Sequence, residues 1–505
     1  MFRDALREEV RAAVARAFDA GARRAGDAPA FEVEIPKDRR HGDYATNAAM
    51  VLAKHTGGKP RDIAQRLIDA YAPSPDRIAR LDVAGPGFIN ITIAWPWKRE
   101  LVATICRLGE DYGLQTVGAG RRVNVEFVSA NPAGPLHVGT GRGAVVGDVL
   151  SNLLTALGFR ISREYYINDA GEQVRNLSLS VEARYFEQFG LTKDFPESGY
   201  RGDYVLDQAR GIAARDGDTW LRAPEETRLD HFREISVEAM VADARDVLER
   251  FGVRFDAWVS ERALVQSGAV DRAVAALRER GVLYEADGNL WFRSTAFGDD
   301  KDRVIVRANG EPTYFGRDIA YHLDKRARGS EQLIDIWGID HIGDVARVKG
   351  GLQALGVPPE ALEILIHQHV RLKNEGESLR MSKRSGEFVP LRDLIDAVGV
   401  DAARYFYAMT SFTIPMDFDV GLALQHSQDN PVYYVQYAHA RIAGILREAG
   451  LPGDGNRMAA QRTATADARL DRLEHEHEAA LIHVLAELPE VIRAAGLRRE
   501  PHRLC

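Results

Sequence analysis

The alternation of hydrophobic and polar positions is clearest between residues 122 and 168. Val123, Val125 and Phe127 recur at every second position, which is the period of a β-strand. Prolines and glycines interrupt this pattern at residues 131–135, and from about Gly139 the apolar residues recur at helical spacing. The run ISREYYIN at 161–168 is again typical of a strand. The pattern predicts a strand, a glycine-rich turn, a helix and a second strand, which together open a nucleotide-binding α/β sheet.

The glycine-rich turn suggests an anion-binding site. The first amides of a helix lack internal partners, and the helix dipole favours negative charge in front of them. Gly139, Gly141 and Gly143 would let the backbone approach a phosphate closely. The side-chain donors expected there are His137, Thr140 and Arg142. The alternative is a turn that only joins a strand to a helix, because a lone glycine-rich turn is a weak signal.

The N-terminal pattern, over residues 1–112, predicts a small α+β domain. Residues 1–20 should form a helix, and AGPGFINITI at 84–93 is a turn that enters a strand. One face of the predicted helix carries Leu6, Val10, Val14 and Phe18. The residues of this domain that could touch a polyanion are Arg39, Arg40, His41 and Asn47. A solvated loop explains these four residues equally well.

The sheet should continue over residues 113–400, with a mainly helical insertion at about 170–290. Strand-like runs follow in GNLWFRST and KDRVIVRANG, then a helix in PTYFGRDIAYH, then strands at 334–344 and 364–372. The first of those last two strands ends with Gly338, Asp340 and His341, where open α/β sheets bind their ligands. From Asp401 to residue 505 the pattern predicts an almost wholly helical domain.

Composition narrows the class of protein. The 505 residues are 45% hydrophobic and 28% charged, as in globular enzymes, and no apolar run is long enough to span a bilayer. Only Cys106 and Cys505 are cysteines, which excludes a disulfide framework and a cysteine-rich zinc site and favours a reducing cytoplasm. The N-terminal helix carries acids, unlike a secretion signal. The net charge of −8 argues against indiscriminate nucleic-acid binding but permits specific binding.

Several longer segments resemble one family. These are HGDYATNAAM, AGPGFIN, VEFVSANPAGPLHVG, YYINDAG, GDDKDRV, PTYFGRDIAYH, MSKRSGEF and NPVYYVQYAHARI. In this order they are similar to arginyl-tRNA synthetases of class I, over residues from about 30 to the last. HVGT at 137–140 and RMSK at 380–383 lie where that class has its two signature tetrapeptides. The resemblance implies a Rossmann-type catalytic domain between an α+β N-terminal domain and an all-α anticodon-binding domain.

The resemblance also implies the site residues. ATP would be bound by His137, Gly139, Thr140, Gly338, Asp340, His341, Met381, Ser382 and Lys383, with His137, Thr140 and Lys383 acting in catalysis. Arginine would be bound by Glu126, Asn131, Tyr314 and Asp318, because a guanidinium pairs well with carboxylates. Taken alone, Glu126 would pass for an exposed strand acid and Lys383 for a solvated loop lysine. The magnesium of Mg–ATP is expected, a zinc ion is not, and no protein ligand for a metal can be named.

The implied partners are tRNA-Arg, L-arginine and ATP, without a membrane, for a monomer in the cytoplasm. Bases of the tRNA could stack on Tyr433 and Tyr437 and on the guanidinium of Arg441. The spacing of the two tyrosines, four residues apart, is equally typical of simple core packing.

Three departures leave alternatives open. Thr140 replaces a histidine of the first signature and Arg380 a lysine of the second. Relatives continue past the point that matches REPHRLC, so the anticodon domain is expected to be short, with uncovered apolar helix faces. The main hypothesis is an active arginine–tRNA ligase. The others are a tRNA-binding paralogue or fragment without full aminoacylation, and a class I synthetase for another amino acid.

Overall fold

The computed structural model of the protein describes residues 2–18, 30–72, 74–374, 377–378, 389–450 and 468–505. Two compact units divide the chain. Unit 1 comprises residues 1–114 and 439–492, and unit 2 comprises residues 115–438 and 493–505. The domain boundaries expected near residues 112 and 400, and those of the insertion, stay predictions.

The described helices, numbered in chain order, are α1 (Phe2–Phe18), α2 (Ala48–Thr56), α3 (Pro60–Ala70), α4 (Trp95–Leu108), α5 (Val138–Ala156), α6 (Glu172–Glu187), α7 (Asp203–Asp216), α8 (Glu225–Arg250), α9 (Glu261–Gln266), α10 (Ala269–Glu279), α11 (Tyr314–Ala327), α12 (Val345–Ala354), α13 (Leu391–Val398), α14 (Val400–Met409), α15 (Val420–Leu424), α16 (Pro431–Glu448) and α17 (Glu476–Leu497). None of them is both long and apolar enough to cross a membrane.

The described strands are β1 (Val33–Glu34), β2 (Tyr44–Thr46), β3 (Ile78–Ala84), β4 (Phe88–Ile93), β5 (Arg122–Phe127), β6 (Arg160–Ile167), β7 (Ala257–Ser260), β8 (Leu283–Ala286), β9 (Asn289–Phe292), β10 (Arg303–Val306), β11 (Gln332–Gly338), β12 (Leu362–His367), β13 (Val370–Asn374), β14 (Glu377–Ser378) and β15 (Met416–Asp419).

Unit 1 is an α+β fold. Its sheet has the strand order β1-β2-β4-β3, and every pairing in it is antiparallel. The predicted first helix is confirmed as α1, which buries Leu6, Val10 and Val14, while Phe18 is half-buried. Helix α17 packs on the same core, because Ile482 and Ala486 belong to the cluster that contains the buried face of α1.

Unit 2 is built on the predicted parallel sheet. Its strand order is β12-β11-β5-β6-β7, with each neighbouring pair parallel, which confirms a doubly wound fold of the Rossmann type. Helix α5 follows β5 and leads into β6, as the hydrophobic pattern predicted. The carboxyl ends of β5 and β11 therefore face the N-terminus of α5, and they define the ligand-binding edge of the sheet.

The strand prediction was wrong at residues 364–372. The structure has two strands there, β12 in the parallel sheet and β13 beside β15 in a different sheet. Gln368 and His369 connect them and belong to neither strand. A strand-like pattern cannot show that its two halves pair with different partners. Strands β7, β8 and β15 were not predicted either, because each has only four residues and lies in a segment whose pattern is mainly helical.

Glycine 147 allows α5 to lie directly on β5. A Cβ at this position would lie 2.2 Å from the ring of Phe127, which is fully buried. By contrast, Gly211 in α7 is exposed and has nothing within 4 Å of a Cβ. The two helical glycines therefore separate the effect of space from that of helix propensity.

We expect Gly147→Ala to destabilise unit 2 by about 2 kcal/mol or more, because the clash outweighs the better helix propensity of alanine. The matched Gly211→Ala variant should instead be stabilised, by up to about 1 kcal/mol. Thermal unfolding of both variants beside the parent measures this, and an equal or higher midpoint for Gly147→Ala would contradict the packing argument.

Candidate functional site

The N-terminus of α5 is closed by a capping box. The Nδ1 atom of His137 accepts the Gly139 N–H at 3.0 Å, and the Thr140 hydroxyl accepts the His137 N–H at 3.0 Å. The hydroxyl of Thr140 donates its own hydrogen to the His137 carbonyl at 2.6 Å. Desolvation of the ring lowers the pKa of His137, so the neutral imidazole prevails near neutral pH. In this arrangement Thr140 shapes the turn, and its expected contact with a phosphate stays a prediction.

Arg142 does not serve as the predicted phosphate donor. Its side chain is completely buried beneath α5, and its guanidinium donates to the carbonyls of Gln368, Ser411 and Ile414 at 3.1, 2.8 and 2.8 Å. Burial lowers the pKa of Arg142 to about 10, which keeps it protonated at neutral pH. The expectation was wrong because Arg142 lies on the buried face of α5, about one turn after the N-terminus of the helix.

A strained turn after β5 positions Glu126. Val128 and Ser129 have φ angles of 71° and 41°, and the first of these is unusual for a β-branched residue. The Ser129 hydroxyl donates to Oε1 of Glu126 at 2.8 Å and accepts the Tyr166 N–H at 3.1 Å. Glu126 is 5% exposed, so its carboxylate is held at the edge of the sheet with little access to bulk water.

Helix α11 brings a second acid to the same place. Asp318 lies one turn after Tyr314, and the pair share a helix face. Burial raises the pKa of Asp318 to about 7; the charges of Glu126 and Glu261 add to this rise, and that of His322 opposes it. The charges of the two acids predicted to bind a guanidinium therefore act on each other.

Asn131 and Tyr314, the other two residues predicted to bind arginine, both approach the start of α6. The Asn131 amide donates to Oε1 of Gln173 at 2.6 Å. The Tyr314 hydroxyl lies close to Gly171, where a Cβ would approach it to 3.0 Å, and the Tyr314 side chain is 52% exposed. Gly171 has a φ of 96°, so the backbone and the close contact both require glycine.

The end of β11 presents the residues predicted to contact adenosine. Gly338 is the last residue of the strand, and Asp340 and His341 lie in the 3₁₀ turn that follows it. His341 is exposed and contacts Asp344 at 3.3 Å, which raises the pKa of the imidazole. Asp340 is exposed as well, and it is 3.9 Å from His369.

Met381, Ser382 and Lys383 lie outside the described residues, so their predicted roles have no geometry here. On α16, the rings of Tyr433 and Tyr437 are stacked with centroids 6.4 Å apart. Tyr433 is half-buried, while Tyr437 and Arg441 are exposed. Tyr437 is therefore accessible to solvent, and its expected contact with tRNA stays a prediction.

Four residues around Glu126 and Asp318 were not predicted: Ser129, Tyr166, Glu261 and Lys325. The Tyr166 hydroxyl is buried beside the acids and has no hydrogen-bond partner in the described part of the chain. Glu261 accepts a 2.7 Å bond from Arg317, the neighbour of Asp318. Lys325 is fully buried and forms an ion pair with Glu126. The period of α11 could have revealed Lys325, because it lies seven residues after Asp318 on the same face.

A cavity of about 860 Å³ opens beside Tyr314. Its wall carries five arginines and six acids, so the lining does not select one sign of charge. Among the described residues no group of three or more His, Cys, Asp or Glu could hold a metal ion.

Comparison with known proteins covers nearly the whole chain. Residues 4–93 match the family described as "Arginyl tRNA synthetase N terminal domain". Residues 106–406 match the family "tRNA synthetases class I (R), catalytic domain". Residues 435–505 match the family "DALR anticodon binding domain". The arginine–tRNA ligase of Carboxydothermus hydrogenoformans is 47% identical over 97% of this chain and 86% of its own length. That of Bacillus subtilis is 46% identical over 99% of this chain and 88% of its own length.

A solved structure shares the fold. The arginyl-tRNA synthetase of Thermus thermophilus superimposes with a TM-score of 0.71 at 22% identity, over 100% of this chain and 89% of its own.

Proposed function

The chain belongs to the arginyl-tRNA synthetase family of class I, and from this premise we propose that it is an arginine–tRNA ligase. It activates L-arginine with ATP to arginyl-adenylate and transfers the arginyl group to the 3′ end of tRNA-Arg. The observation that carries this proposal is the buried carboxylate of Glu126 at the carboxyl end of β5, the strand that leads into α5, with its charge acting on Asp318 of α11.

The acids select the substrate. The guanidinium of arginine has a fork of N–H donors, which two carboxylates can accept, and Asn131 and Tyr314 complete its pocket. A lysine or an apolar amino acid would leave buried acceptors without partners, so such a pocket discriminates strongly without a second, editing site. This argument favours arginine over another amino acid as the substrate.

The helix N-terminus stabilises the phosphates. A carboxylate oxygen of arginine attacks the α-phosphorus of ATP, the bond to the β-phosphate oxygen breaks, and pyrophosphate leaves. In this proposal the N-terminus of α5, from His137 and Gly139 onward, holds the negative charge of the phosphates. Thr140, Gly338, Asp340 and His341 complete the proposed ATP site, together with Met381, Ser382 and Lys383. A terminal ribose hydroxyl of the tRNA then attacks the arginyl carbonyl, and AMP leaves.

The remaining features of the proposal concern partners and location. We expect magnesium to arrive as the counterion of ATP, with no zinc required, and tRNA bases to stack on Tyr433, Tyr437 and Arg441. The enzyme is proposed to act as a cytoplasmic monomer. Its proposed domains are 1–112 for the tRNA-contacting N-terminal domain, 113–400 for catalysis with the insertion at about 170–290, and 401–505 for the anticodon.

The decisive experiment is arginine-dependent charging of tRNA-Arg by this chain beside a Lys383→Ala variant. We expect charging by the parent, and a loss of about a hundredfold in kcat for the variant, because one donor to the developing charge is removed. The assay repeated with lysine in place of arginine should give no product.

Failure of the parent to charge tRNA would reject the ligase. Retained tRNA binding without ATP–pyrophosphate exchange would then support the tRNA-binding paralogue, and charging with a different amino acid would support the other synthetase. An unchanged kcat for Lys383→Ala would reject only the role of that lysine.

A further inference from the structure

Three buried carboxylates lie side by side across the central sheet. Glu164 on β6 is in register with Glu126 on β5, which is in register with Asp335 on β11. Glu164 and Asp335 are completely buried, and Glu126 nearly so. Neighbouring strands lie about 4.8 Å apart, so three negative charges in this arrangement would repel one another strongly if they were not neutralised. These three residues are called the acid row below.

One face of α11 and the residue just after it supply the matching cations. Lys325 forms ion pairs with Glu126 and, at 2.9 Å, with Asp335. Arg328 donates two hydrogen bonds of 2.7 Å to the two oxygens of Glu164. The Glu164 carboxylate also accepts bonds from Tyr321 at 2.7 Å and from Asn124 at 2.9 Å.

His322 completes the charge balance. Its Nε2 atom is 2.6 Å from Oδ2 of Asp335, and its Nδ1 atom is 2.6 Å from the carbonyl of Asp318. Both neighbours are acceptors, so both ring nitrogens must carry hydrogen, and the imidazole is cationic. Burial alone would lower the pKa of His322, but the charge of Asp335 raises it. Three cations thus face three carboxylates.

Such a row is a poor way to stabilise a core. Buried ion pairs often contribute less than apolar residues of the same volume, because both ions lose their hydration. The row is therefore better explained by its middle member, Glu126. One oxygen of Glu126 accepts a hydrogen bond from Ser129, and its charge acts on Asp318.

We propose that Lys325 is a positioning residue for arginine recognition, which holds the Glu126 carboxylate ionised and aimed at the guanidinium. Ser129 fixes the other oxygen of Glu126 from the strained turn. The same ion pairs fix the position of α11 relative to β5, and with it the positions of Asp318 and Tyr314. This inference rests on the proposed function.

The titration of Glu126 depends on all the groups around it. Burial raises the pKa of Glu126, and Lys325 opposes this rise. The other charged or titratable groups that face it are Asp318, Tyr321 and His322 on α11, Asp335 on β11, and Glu164 and Tyr166 on β6. Without Lys325 the acids dominate these neighbours, so Glu126 would take up a proton at a higher pH.

The test is a double-mutant cycle in tRNA charging. The parent, Lys325→Met, Glu126→Gln and the double variant are compared for KM of arginine and KM of ATP over a range of pH. We expect Lys325→Met to raise KM for arginine about tenfold at neutral pH and to leave KM for ATP unchanged. The midpoint of the pH dependence of KM for arginine should move to a higher pH by about one unit or more. In the Glu126→Gln background the same substitution should have no further effect.

Arg228→Met is the matched control. Arg228 is a buried cation on α8 and donates to Glu182, which is fully buried. Its replacement should lower the thermal midpoint but leave KM for arginine and its pH curve unchanged. A merely structural role for Lys325 predicts the behaviour of this control, and fold-changes that multiply across the cycle would overturn the proposal.

Ser129→Ala keeps the test decisive if Lys325→Met does not fold. It removes the bond to Oε1 of Glu126 without uncovering a buried charge. We expect a severalfold rise in KM for arginine that vanishes in the Glu126→Gln background, and a parental KM would overturn the proposal. Failure of the parent to charge tRNA with arginine would instead reject the proposed function on which the inference rests.

Discussion

Replacing Asp318 by Asn is expected to lower kcat/KM for arginine about a thousandfold. Asp318 lies on α11 and is one of the two proposed partners of the guanidinium, and its side chain is half-buried. Truncating one partner of a desolvated, hydrogen-bonded charge pair costs about 2–5 kcal/mol, much of it because the other charge is left unpaired. KM for ATP should stay within about twofold, because the proposed partner of Asp318 is the amino acid and not ATP.

Asp318 should also determine how kcat/KM for arginine depends on pH. Because the pKa of Asp318 is raised to about 7, lowering the pH through 7 protonates the carboxyl and removes its charge before arginine binds. We therefore expect kcat/KM for arginine to fall as the pH drops below about 7, while kcat changes little, since bound arginine keeps the acid ionised. In Asp318→Asn this decline should disappear. Initial rates at several arginine concentrations and pH values measure it.

Two controls separate recognition from folding. The exposed Asp271 on α10 offers the same substitution away from the pocket, and Asp271→Asn should have parental kinetics. The ionised Asp318 carboxylate is disfavoured by burial. Asp318→Asn should therefore not have a lower thermal midpoint than the parent above pH 7. A variant with parental KM for arginine would show that Asp318 does not bind the guanidinium.

Replacing Arg142 by Met should destabilise unit 2 by about 3 kcal/mol or more. The guanidinium is the donor to three backbone carbonyls, and each buried acceptor left without a partner costs about 1–3 kcal/mol. These carbonyls belong to the segment between β12 and β13 and to the residues just before β15, so the loss should loosen both. Urea unfolding and hydrogen exchange of this region measure the effect.

The matched control is Arg210→Met on α7. Its side chain is 60% exposed and contacts Asp207 at 3.5 Å, so we expect a change within about 0.5 kcal/mol. The folded fraction of Arg142→Met should keep the parental KM for ATP. A stable variant with a raised KM for ATP would instead support the phosphate-donor role that the structure contradicts.

The local pattern of this sequence was sufficient for the elements that open the site. Alternation over β5, the glycine-rich interruption and the helical spacing of α5 are short-range properties, because strand, turn and helix depend on neighbours within a few residues. The segments shared with arginyl-tRNA synthetases added Glu126 and Asp318 as candidates. Nothing local, however, distinguished Glu126 from an exposed strand acid.

The tertiary structure alone decided how these residues act together. Glu126, Glu164 and Asp335 are neighbours only because three parallel strands pair in one register, over sequence separations that no periodicity reports. Arg142 carries the same charge that a phosphate donor would, and only the packing of α5 turns it towards backbone carbonyls. Chemistry that depends on residue type can be predicted from sequence, whereas the direction and neutralisation of a buried charge depend on long-range pairing.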